Sequence, residues 1–282
     1  MFIIHLKGLG TKGKTDITLS NPLFIMSKRK MDHCGDGVRV NFRKQVEVRR
    51  QRQTALNECI DAIASGGDIC KELDDKLERL VSDFWPTFDW FPEDKQRQEK
   101  VHDMTEIVWK AAIHESRDDI ICVVFRFIPD EDQVEVINGV LGRLAQTGNK
   151  QELKSFCESC HCTSKHVQHT YANESNLLHV AAAKGNIEAL EYLLEGHFGE
   201  GDLRVVDKRH PYCTPAEVCI WELLYAKDEK DTKCVRFLLN KTSDKFNRAI
   251  LRKVVGDLRD DANDASGIAT AEFIEEEFRN MF

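Results

Sequence analysis

The chain has 282 residues, 41% of them hydrophobic and 31% charged, which suits one large or two ordinary folded domains and is too apolar for a wholly disordered chain. Its 40 Lys and Arg against 48 Asp and Glu leave a formal charge of −8, so nucleic-acid binding would need a local basic patch. The densest apolar run, Ile120 to Phe125, falls far short of the ~20 residues that span a bilayer. The 10 cysteines follow no secretory pattern at Met1–His5, so they are expected as thiols in a reducing compartment, the cytoplasm or the nucleus, and not as a disulfide framework.

Residues 1–40 carry Gly8, Gly10, Gly13, Pro22, Gly35 and Gly37 and the basic run Lys28-Arg29-Lys30, the composition of a flexible leader. Within it, Gly8 to Thr15 fits the phosphate-loop spacing G-x4-G-K-S/T, which would cradle a nucleotide on backbone N–H groups. That chemistry needs a helix directly after Lys14-Thr15, and Pro22 would break such a helix within two turns. From about Val46 the pattern is helical almost throughout. Ala55, Cys59, Ile60 and Ile63 recur at spacings of three and four, as do Leu73, Leu77, Leu80 and Val81 up to Pro86. Trp85, Phe88, Trp90 and Phe91 then form an aromatic knot around Pro86 and Pro92, expected as a packed corner between helices.

The segment Asn176 to Glu195 reads N-L-L-H-V-A-A-A-K-G-N-I-E-A-L-E-Y-L-L-E. Ala181 and Ala182 are small enough for a neighbouring helix to come close. Gly185 stands where a helix ends with positive φ. Leu190, Leu193 and Leu194 give a second helix an apolar stripe. This segment resembles the ankyrin repeat, with Leu178, His179, Ala181, Ala182, Gly185, Asn186, Leu193 and Leu194 at matching places. Weaker echoes flank it. Thr214-Pro215 matches the helix-opening dipeptide 38 residues after Asn176, and Val235, Phe237, Leu238 and Leu239 close its second helix. Leu144-Ala145, Gly148-Asn149 and Leu153 to Cys157 precede the clear unit. Ala111-Ala112 with Ile120, Val123 and Val124 repeats it at a constant offset of 70, which favours a helix over a buried strand at 120–125.

The resemblance implies an all-α solenoid of stacked helix pairs, a divergent ankyrin-like stack over residues 104–245. A helical N-terminal region at 41–103 precedes it, and amphipathic helices at Phe246–Leu258 and Thr270–Phe282 would cap its open end. The usual G-A-D-V-N loop ending is missing or altered in every unit, so distorted hairpin fingers are expected. The resemblance also implies protein–protein recognition without catalysis or cofactor. It places the contacts at the loop tips and first helices, here Asn173, Ser175, Lys184, His210, Tyr212, Trp221 and Glu222. Tyr212 and Trp221 are the aromatic candidates for anchors, with an ordinary core position the alternative for Trp221. His179 would tie adjacent repeats through backbone hydrogen bonds.

Other constellations are weaker. Cys157, Cys160 and Cys162, followed by His166 and His169, have zinc-like composition. Register with the clear repeat turns Cys157 into the core, so a zinc-stabilised adaptor would rest on the other four. Scattered carboxylates such as Asp74-Asp75 and Glu275-Glu276-Glu277 read as solvated helix faces. No G-x-S-x-G elbow and no H-E-x-x-H pair occurs. The basic stretch Arg43-Lys44 and Arg49-Arg50-Gln51-Arg52 is expected as a solvated face or a nuclear address. Protein partners are therefore expected, and neither nucleic acid nor a small-molecule substrate.

Overall fold

The computed structural model describes residues 36–65, 70–84, 93–113, 118–171, 175–198, 200–206, 213–225, 232–260 and 265–282. The phosphate-loop segment Gly8–Thr15 and the aromatic knot at 85–92 lie outside them. The described residues are mainly helical, with no strand among them. No helix is long and apolar enough to cross a membrane. The chain divides into two units, residues 1–47 and 48–282. Of the first, the structure describes the start of helix α1, Asp36–Ser65, which begins inside the residues expected as leader.

Within residues 48–282 the helices alternate between two layers. The first layer holds α3 (Glu93–Ile113), α5 (Asp130–Thr147), α8 (Leu177–Lys184) and α10 (Pro215–Cys219), each packed on the next. The second layer holds α2 (Cys70–Arg79), α4 (Asp118–Phe125), α6 (Lys150–Ser159) and α9 (Ile187–Gly196), again neighbour on neighbour. Each first helix packs on the second helix that follows it in the chain, with α11 (Lys233–Asn240) returning against α10. The short α7, Ser164–Val167, leads from α6 toward α8 and packs on α5. The expected solenoid of helix pairs is therefore the observed architecture, and residues 118–125 are helical in it.

Local sequence accounts for where these helices start. Asp130, Glu131 and Asp132 put negative charge at the N-terminus of α5, where it meets the helix dipole favourably. Asn149 and Glu152 form a reciprocal capping box on α6, and Thr214 and Glu217 do the same on α10, with Pro215 in its first turn. The apolar faces then build one continuous core: Leu73, Leu77 and Leu80; Ile107 and Val108; Val140 and Leu144; Leu178 and Ala181; Leu190 and Leu193; Leu238 and Leu239 are all buried. No pair buries both faces of its helices alone, so each depends on its neighbours.

Both ends are elaborated. At the N-terminal end, Arg52 of α1 donates to Asp103 and Glu99 of α3 at 2.5–2.7 Å, with Asp103 almost wholly buried. Arg52 is thus turned into the structure and not onto the solvated face expected for its basic stretch; Arg49 and Arg50 are exposed. At the C-terminal end, α12 (Asp244–Asp260) pairs with α13 (Ala265–Glu277). Both start earlier than their apolar patterns suggest, and α13 gives way to a tighter turn at Arg279–Met281. Lys253 on α12 reaches the buried Glu217 of α10 at 2.7 Å, and Arg236 on α11 pairs with Glu277 of α13.

Candidate functional site

The best-formed region of the stack is the α8–α9 pair, and its polar residues explain why. Asn176 caps α8: its Oδ1 accepts from the backbone N–H of Leu178 (3.0 Å) and His179 (3.2 Å). His179, fully buried, faces two carbonyl oxygens with Nε2, those of Val205 (3.1 Å) and Cys213 (3.2 Å). Nε2 must therefore carry the proton and donate. Nδ1 accepts from the Asn176 backbone N–H at 3.3 Å. One imidazole thus fixes the start of its own helix and holds the segment that leads into the next pair, the bridging role expected for it.

Gly185 ends α8 at φ 69°, in the left-handed region. Its N–H bonds to Ala182 and the Asn186 N–H to Ala181, a complete Schellman ending. The backbone conformation favours glycine here, and a Cβ on Gly185, 2.9 Å from Leu223 Cδ1, would make that side chain shift. Asn186 serves two elements. Its Oδ1 caps α9 through the Ala189 N–H, and its Nδ2 donates to the carbonyls of Ala145 (3.1 Å) and Gly148 (2.8 Å) at the end of α5. His179 therefore holds the pair that follows and Asn186 the pair that precedes. In the sequence Asn186 is visible only as a family match, because its partners lie about 40 residues away.

The predicted contact residues divide into four groups. Lys184 and Glu222 are exposed. Trp221 is half-buried, edge-to-face with Tyr225 at 5.3 Å, and packed against the core. Both aromatics lie in a wide helical turn, Ile220–Tyr225, that continues α10. Ser175 is buried, with its carbonyl accepting from the Tyr171 N–H at 2.8 Å. Asn173, His210 and Tyr212 lie outside the described residues. The Tyr171 hydroxyl in turn donates to the Asn138 carbonyl of α5 at 2.9 Å and rests on Gly142, so burial pushes its pKa up.

Sequence reading missed a second cluster on the first-helix layer. Trp109 on α3 is half-buried, with Lys110 Nζ 4.4 Å and the Arg143 guanidinium of α5 5.1 Å from its ring centre. Arg143 also pairs with Glu106. Glu135, Gly139, Arg143 and Gln146 stand at spacings of four and three along α5, with Glu135 and Gln146 exposed and Gly139 and Arg143 half-buried. Spacing showed α3 and α5 as helices, but only their packing brings Trp109 beneath Arg143.

Cys157 faces the core at 7% exposure, and among the described residues no three His, Cys, Asp or Glu side chains are grouped to hold a metal ion. His166 instead accepts the Thr163 N–H at Nδ1. His197, at the end of α9, has its pKa lowered by burial, with Nε2 3.2 Å from the Tyr192 hydroxyl.

Comparison with known proteins agrees with this local picture. The ankyrin-repeat family model matches residues 173–208, the segment containing α8, α9 and the Val205 carbonyl that His179 holds. No curated protein and no solved structure matches the chain. Ankyrin repeats are protein-interaction modules and are generally without catalytic activity. Residues 173–208 therefore match an ankyrin repeat, and the chain carries at least this one.

Proposed function

We propose that this chain is a non-enzymatic scaffold or adaptor that docks a protein partner on the uncovered face of the first-helix layer and the loop tips beside it. The observation that carries the reading is the layering itself. The second helices pack against α3, α5, α8 and α10, and this first layer also carries half-buried Trp109 beside Arg143, exposed Lys184 and, in the turn that continues α10, half-buried Trp221 and exposed Glu222. Aromatic and Arg side chains held by their neighbours lose little freedom on binding and make effective anchors. In this reading Lys184 and Glu222 set charge complementarity, while Trp221 and Tyr212 supply apolar area. Asn173 and His210 contribute from the loops, and buried Ser175 shapes the first of them.

The test is a charge reversal that leaves the core alone. Partners captured by the full chain from its native lysate and identified by mass spectrometry should be lost, by tenfold or more, in the Lys184→Glu, Glu222→Lys double variant. The melting curve should not change, because both side chains are exposed. Undiminished capture with an unchanged melt removes these residues from the contact surface.

A further inference from the structure

Helix α6 ends in a turn whose backbone is strongly specified. His161 adopts the left-handed conformation at φ 46°, where glycine would sit without strain. Cys160 N–H bonds to the Phe156 carbonyl at 3.0 Å, and Cys162 N–H reaches back to the Cys157 carbonyl at 2.8 Å. This six-to-one hydrogen bond is the mark of a Schellman ending, which brings together the side chains that flank it. Those side chains are ordinarily apolar. Here they are Cys157, buried at the end of α6, and Cys162, half-buried in the turn. The Cys157 thiol interacts with that of Cys162 and with the Tyr192 hydroxyl of α9.

We propose that Cys157 and Cys162 form a peroxide-oxidisable dithiol, a modification site that closes to a disulfide across the end of α6. A disulfide needs two Cα atoms within about 7 Å and Cβ atoms that face each other, and a turn closed by a six-to-one bond holds its two flanking residues in that relation. The electrostatics favour the first step. Interaction with Cys162 and Tyr192 lowers the pKa of Cys157, whereas Cys162 is raised by its interaction with Cys157 and then by burial. The pair thus gives up one proton readily and holds the second.

The Cys157 thiolate attacks one oxygen of hydrogen peroxide. An S–O bond forms, the O–O bond breaks, and hydroxide leaves and takes up a proton to become water. The Cys162 sulfur then attacks the sulfenic sulfur. The S–S bond forms, the S–O bond breaks, and a second water leaves with the Cys162 proton. The two thiols lose two electrons and the peroxide gains them. The product ties the last turn of α6 to the segment leading to the ankyrin repeat. It also takes from the Tyr192 hydroxyl its thiolate partner, leaving it with His197.

Peroxide treatment of the reduced full chain, followed by cleavage after Glu158 and mass spectrometry, decides the matter. Cleavage there separates Cys157 from Cys160 and Cys162, so fragments that stay joined report a bond to Cys157. We expect joined fragments, two hydrogens lighter and released by dithiothreitol, in the wild type and in Cys160→Ser. In Cys162→Ser we expect instead a sulfenic acid at Cys157 that dimedone traps. Joined fragments that vanish in Cys160→Ser, or oxidation that leaves Cys157 untouched while exposed Cys122 is modified, overturn the proposal. If Cys162→Ser does not fold, the wild type and Cys160→Ser decide by themselves.

Discussion

Two neighbouring pairs, α8–α9 and α10–α11, begin with the same device and then part. Asn176 caps α8 through two backbone N–H groups. Thr214 caps α10 through the Glu217 N–H, and Glu217 returns a bond of 2.7 Å to the Thr214 N–H. Beyond its cap, α8 runs 8 residues to Gly185 and turns at once into α9. Helix α10 keeps α-helical form for 5 residues, then widens over Ile220–Tyr225, and the partner helix starts only at Lys233. A widened turn absorbs extra residues without abandoning the helical hydrogen-bond ladder. Part of the longer stretch between Thr214 and Lys233 is thus taken up by the widened turn, while the cap, being local, survives. The two pairs remain complementary: Leu223 of the wide turn lies against Gly185 of the tight one.

This contrast can be attacked from its strongest point downward. Leu193 is wholly buried in the compact pair, so Leu193→Asp places an unpaired charge in the core. It should cost about 4 kcal/mol or more, seen as loss of cooperative unfolding by circular dichroism. Survival of a sharp melt would mean that the pairs do not lean on one another. His179→Phe keeps the bulk but leaves the Val205 and Cys213 carbonyls and the Asn176 N–H without their ring partner. About 3 kcal/mol in a denaturant titration is expected. If the joint between the pairs does not depend on this ring, the midpoint will barely move.

Gly185→Ala tests the contact between the tight and the wide turn. Left-handed backbone strain and a Cβ against Leu223 together should cost about 2 kcal/mol. Thr214→Ala removes one cap from the divergent pair and should cost about 1 kcal/mol, since the rest of α10 is held by packing and by Lys253 on Glu217. The smallest effect is that of pH at the end of α9. Burial holds the folded His197 pKa below the ordinary 6.5, so the unfolded chain takes the proton first. Its contribution is fully present above pH 6.5 and is lost as pH falls through the folded value. The wild-type melting temperature should therefore drop on acidification more than that of His197→Gln over the same range.

Much of the repeat was legible because its signals are short-range. The small pair Ala181-Ala182, the positive φ at Gly185 and the stripe of Leu190 and Leu193 each involve residues within a few positions of one another. The chain places them wherever it folds as a helix. Arg52 illustrates the limit. Its neighbours Arg49 and Arg50 suggest a solvated basic face, and only the arrival of Asp103 and Glu99, some 50 residues on, turns its guanidinium inward. Trp109 beneath Arg143 is the same case on the candidate contact surface. Trp221 shows the reverse: its spacing left core and contact both open, and the widened turn leaves it half-buried beside Tyr225.

From the amino-acid order alone came most of the helices, the helix opening at Thr214-Pro215, the compact glycine turn and a clear repeat at about 173–205, because turn residues and apolar stripes act over one or two turns of chain. Tertiary structure decided which polar groups meet across elements: Asn186 on α5, His179 on the following segment, Arg143 over Trp109, and Cys157 on Tyr192. Those meetings depend on how neighbouring pairs stack, and stacking is set by the shape of whole buried faces, which no local spacing records.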